Sequence, residues 1–82
     1  MGDSKPKLYG YSTGTDQDGR STWALVSEDG SLRLRYRSSA SRFMVGDARR
    51  EAARAPEYEF EWVGRNERHT HEGLGRALGE SS

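Results

Sequence analysis

Residues 31–37 read SLRLRYR, and their alternation decides the architecture. Leu32, Leu34 and Tyr36 fall on one side of an extended chain, and Arg33, Arg35 and Arg37 on the other. That two-residue period belongs to a strand in a sheet with one apolar face. A second stretch, EYEFEWV at residues 57–63, repeats the pattern with the opposite charge. Tyr58, Phe60 and Trp62 share one side, and Glu57, Glu59 and Glu61 the other. If both apolar sides meet the same helix, both charge rows lie on the outer face of the sheet. Adjacent rows would pair across the strands at about 0.2–1 kcal/mol per pair. Separated rows would still balance in net charge. Strand order therefore decides whether the arginines form a basic patch, and the alternation does not specify that order.

Outward from the arginine strand, SEDGS at 27–31 reads as a hairpin loop with Gly30 in a left-handed position. RSTWALVS at 20–27 is the strand before it, with Trp23 and Leu25 on one face and Ala24 and Val26 on the other. TGTDQDG is a turn, and KLYGYS at 7–12 is a first strand. After the arginines, residues 40–55 read as a helix with Ser38 or Ser39 as N-cap. Met44, Ala48, Ala52 and Ala55 line one face of it, and Pro56 stops it. An alternative makes SRFMV a strand and starts the helix at Asp47. The order β-β-β-α-β implies an α+β domain, an antiparallel meander covered on one face by a single helix, with a returning fourth strand. Residues 1–6 read as a disordered lead, 7–64 as the domain, and 65–82, polar and glycine-rich, as a flexible tail.

The stretch GRSTWALVSEDG, residues 19–30, resembles the YegP-like family of small ββα-type domains. Those domains show a glycine four positions before a tryptophan and a residue-Gly turn seven positions after it. Gly19, Trp23 and Gly30 stand at these spacings. YRSSA at 36–40 is similar to the family's tyrosine and helix start, and Ala55-Pro56 to its helix end. The likeness spans roughly residues 8–56. The loop before Gly19 is longer than the family's, and the stretch from Gly30 to Tyr36 is shorter. The resemblance implies a fold and the pairing of sheets, in tandem or as dimers. It implies no activity.

The chain has 82 residues, with 13 basic and 13 acidic side chains and no cysteine. A domain this small buries only about 60% of its unfolded surface, so a few large side chains must carry the core. Trp23, Trp62, Phe43, Phe60 and the tyrosines are the candidates. Without cysteine there is no disulfide, thiolate metal site or cysteine nucleophile. No run approaches the about 18 apolar residues of a membrane span, and MGDSKPK lacks an apolar signal region. A cytoplasmic protein with no membrane partner is the expectation. Duplex binders usually carry a basic excess, because their affinity comes from neutralising phosphates. A net charge of zero argues against that class.

No motif points to catalysis or a cofactor. His69-Thr70-His71, with Glu67 and Glu72, has zinc-compatible side chains but sits in the expected tail, and no metal is expected. DQDG at 16–19 looks like part of a calcium loop. Gly14 and Leu25, however, stand where that loop needs its first and twelfth ligands, so turn chemistry explains it. Gly73, Gly75 and Gly79 lack the strand and βαβ unit of a dinucleotide fingerprint. No Gly-x-Ser-x-Gly elbow exists. Glu59 and Glu61 on an open strand face have nothing to desolvate them or separate acid from base. The expected function is a non-catalytic interaction module, a homodimer or a module docking on another protein. The alternative is a nucleic-acid binder that uses Arg33, Arg35, Arg37 and Arg42, with Tyr36 as a stacking surface.

Overall fold

The computed structural model describes residues 5–38, 41–64 and 71–79. Strands β1 (Lys7–Thr15), β2 (Ser21–Ser27), β3 (Arg33–Ser38) and β4 (Glu59–Trp62) form one sheet in the order β3-β2-β1-β4. The first three make the expected antiparallel meander. The fourth returns beside β1 and runs parallel to it, so the sheet is mixed. Helix α1 (Met44–Ala52) covers one face, and a shorter helix α2 (Glu72–Ala77) lies on the other. The class is α+β.

Turn chemistry sets the meander. Asp16 accepts from the backbone N–H groups of Asp18 and Arg20, and Gly19 takes a positive φ of 81° that a side chain would resist. In the next hairpin, Asp29 accepts from the Ser31 N–H and from the Ser27 and Ser31 hydroxyls. Gly30 closes that loop at φ 78°.

The face under α1 holds the main core. Leu8, Trp23 and Leu25 pack against Met44, Ala48 and Ala52 of the helix, with Tyr36, Tyr58, Phe60 and Trp62 around the rim. Alanine on the helix stripe lets α1 sit close to large rings. Gly10 does the same for the sheet. A Cβ built there would lie 2.8 Å from the Phe60 ring and 2.9 Å from the Trp62 ring. Trp23 is 1% exposed and stacks on Tyr36 with ring centroids 4.4 Å apart.

Two details of the helix differ from expectation. A 3-10 turn, Ser41–Phe43, precedes α1, and Phe43 stands at the N-cap without a capping side chain. Of the two serines expected as caps, Ser39 lies outside the described residues and Ser38 is buried instead. Its hydroxyl accepts from the Trp23 indole N–H at 2.8 Å and donates to Asp47 at 2.7 Å. Core satisfaction outcompetes helix capping at this residue.

On the second face, residues 71–79 are not part of a free tail. Leu74 and Ala77 of α2 are buried against Tyr9, Val26 and Val63. Tyr9, Val26 and Val63 form an apolar patch on the outer face, and α2 covers it. Leu74 and Leu78 supply too few apolar positions for the pattern to show in sequence. Residues 1–4 of the lead, and 65–70 and 80–82 of the tail, lie outside the described residues.

Candidate interaction surface

The strand order answers the question raised by the two charge rows. Arginines and glutamates share the α2 face, but at opposite edges, with β2 and β1 between them. They do not pair with each other, and each row finds local partners.

At the β3 edge, Arg33 donates to the Ala77 carbonyl at 3.3 Å, at the end of α2. A cation there meets the negative end of the helix. Arg37 pairs with Asp16 at 3.4 Å and Asp18 at 3.8 Å. Arg35, between them, makes no hydrogen bond or ion pair among the described residues. A hollow of about 680 Å³ opens beside Arg35 and Arg37 and is lined also by Tyr11, Thr13, Asp16, Thr22, Trp23 and Tyr36. The Thr13 hydroxyl donates to that of Thr22 where a bulge between Ser12 and Gly14 shifts the register.

Not every residue singled out in the sequence joins this surface. Tyr36 borders the hollow, but its ring stacks on Trp23 and packs against the core on the opposite face rather than beside the arginine side chains. Arg42 lies in the 3-10 turn, its guanidinium 4.9 Å from the Phe43 ring centroid. Phe43, expected in the core, is 48% exposed.

At the β4 edge, Lys7 bridges Glu59 at 3.2 Å and Glu61 at 3.4 Å. Hydrogen bonding to Glu59 and then Glu61 raises the lysine pKa. The His71 Nε2–H donates to Glu61 at 2.7 Å, and with Lys7 this hydrogen bond holds the Glu61 carboxyl below its ordinary value. The His71 Nδ1 meanwhile accepts from the Leu74 N–H at 3.0 Å and caps α2. These two roles need the neutral ring with its proton on Nε2. Burial raises the Tyr9 phenol, whose ring edge packs on His71. His71 is thus committed to structure, and His69 lies outside the described residues. No cluster of three or more histidine, aspartate or glutamate side chains suited to a metal occurs among the described residues.

Backbone direction decides what each edge presents. Ser27 N–H donates to Leu32 O, and the register continues through Leu25–Leu34 and Trp23–Tyr36. Alternation then turns the N–H and C=O groups of Arg33, Arg35 and Arg37 outward. On β4, the Glu59 and Val63 N–H groups reach the carbonyls of Pro6 and Gly10 on the β1 side. The backbone groups of Phe60 and Trp62 therefore point away from the sheet. Sequence alternation located both charge rows. It could not show these free backbone groups, because they follow from strand order.

What the fold and surface define is a small α+β domain with two unlike sheet edges. No family model matches the chain, nor does any curated protein or solved structure. Among the described residues, no helix is long and apolar enough to cross a membrane.

Proposed function

We propose that the protein is a non-catalytic interaction module that self-associates through the β4 edge. One observation carries this reading. Phe60 and Trp62 are half-buried on an edge strand whose outward backbone groups belong to these same two residues. An antiparallel copy of β4 would satisfy those groups and set aromatic rings against aromatic rings, a favourable cross-strand pairing. A hollow of about 480 Å³ beside Tyr58 and Phe60 offers room for a partner's side chain. The two glutamate rows would also meet, but each copy brings Lys7, bridging Glu59 and Glu61, to offset that repulsion. The sheet pairing implied by the YegP-like resemblance points the same way. The compartment we assign is the cytoplasm, on composition.

Sedimentation across a submillimolar range tests this. The wild-type chain is expected to form a dimer, and Trp62→Lys to be a monomer. A wild-type chain that stays monomeric throughout, with the Phe60 and Trp62 amides exchanging freely, overturns the homodimer.

Nucleic-acid binding is the second reading, favoured by the separation of the arginine row from the glutamate row. Against it stand the local partners of Arg33 and Arg37 and the position of Tyr36 on the far face.

A further inference from the structure

We infer that the β3 edge receives an extended peptide segment of alternating acidic and apolar residues, added to the sheet as a fifth strand. The inference rests on reading the chain as an interaction module, but not on its homodimer.

The occupant follows from three features. First, the outward backbone groups of β3 belong to Arg33, Arg35 and Arg37. A hydrogen-bonded antiparallel partner therefore places its own paired residues directly opposite these three. Those residues point to the arginine face, so acidic side chains fit there and basic ones do not. Second, the residues between them turn to the other face, beside Leu34, which is 38% exposed. Apolar side chains fit there. Third, Arg35 lacks a partner among the described residues, and the hollow beside it gives a long acidic side chain space to reach it.

The same geometry excludes a two-fold copy of β3. Every hydrogen-bonded antiparallel register of β3 on itself that overlaps within Arg33–Arg37 sets arginine against arginine, because only the odd-numbered residues of the strand face outward. Like charges directly opposite are destabilising. Lysine and proline, the usual blocks to strand addition, are missing from β3. The edge is thus closed to its own copy and open to an acidic strand.

The test titrates the full isotope-labelled chain with a short, end-blocked peptide of alternating glutamate and valine. An alternating lysine–valine peptide is the control. The glutamate peptide is expected to bind, to weaken with salt, and to protect the Arg33, Arg35 and Arg37 amides from exchange. Leu34 and Tyr36 amides, already turned to β2, should change little. Arg35→Glu should weaken binding about tenfold, since it turns an attractive central pair into a repulsive one. The Arg35 side chain is exposed, so this variant keeps the fold. Absence of binding, equal binding of the lysine peptide, or binding without new protection at the three arginine amides overturns the inference. Trp62→Lys separates the two proposals. It should abolish the dimer and leave peptide binding intact, whereas failure at β3 leaves the wild-type mass unchanged.

Discussion

Ser38 is a small hydroxyl at a crowded junction, where the end of β3, the Trp23 indole and Asp47 of α1 meet. Ser38→Ala would leave the indole N–H buried without an acceptor, at a cost of about 1–3 kcal/mol. Urea unfolding would measure it, and an unchanged midpoint would show that the N–H finds another acceptor. The two tryptophans should differ. Trp23 is almost wholly buried, so Trp23→Ala is expected to cost about 3–5 kcal/mol. Trp62 sits half-exposed at the rim, and Trp62→Ala should cost clearly less in the monomer. A polar quencher should reach Trp62 fluorescence and spare Trp23. Alternation placed both tryptophans on the apolar side, but it could not rank them, because depth depends on whether a strand is central or at an edge. Gly10→Ala should also destabilise, by about 1–3 kcal/mol, since the Phe60 and Trp62 rings occupy the space a methyl needs.

Helix α2 shows how a short element survives poor intrinsic propensity. It spans six residues and contains Gly73 and Gly75, each of which costs about 1 kcal/mol relative to alanine. Docking offsets this. Leu74 is fully buried, and His71 caps the helix from outside it. Leu74→Ala should cost about 2 kcal/mol, near the low end for such a change, because so short a helix can undock rather than hold a cavity. Removing residues 66–82 should lower the melting temperature, and an unchanged value would show that α2 contributes nothing. The β2–β3 hairpin makes a prediction in pH. The Ser31 N–H, then the serine hydroxyls, lower the Asp29 pKa to about 2. A depressed carboxyl stabilises the fold above its unfolded pKa, and the gain disappears as pH falls through the folded one. Stability should therefore drop between the ordinary aspartate value, about 4, and about 2. Asp29→Asn keeps an acceptor but cannot ionise there, so it should flatten that part of the profile. An identical acid limb in the variant would assign the drop to other carboxyls, with Glu61 the first candidate.

Across the whole molecule, charge is balanced in sum and divided in space. The arginine edge and the glutamate edge lie on one face at opposite ends of the sheet. Three arginines give few phosphate contacts, so single-stranded RNA should bind weakly near physiological salt, with a log–log salt slope no steeper than about −2. Sub-micromolar affinity with a steeper slope, lost in Arg33→Glu/Arg35→Glu, would favour the nucleic-acid reading over protein docking. Local pattern was enough to find the four strands, the main helix, the turn residues and the composition of the two charge rows. Each follows from a chain's own period or backbone preference, and neighbours in sequence carry it. The place of β4 beside β1 was not legible, since Phe60 and Trp62 select that position by closing over Gly10, a contact between distant residues. Nor was the docking of α2, which depends on an apolar patch assembled from Tyr9 of β1, Val26 of β2 and Val63 just beyond β4. The unlike edges follow from the same cause: which backbone groups remain free is set by which strands already have neighbours, a property of the folded sheet and of no single segment.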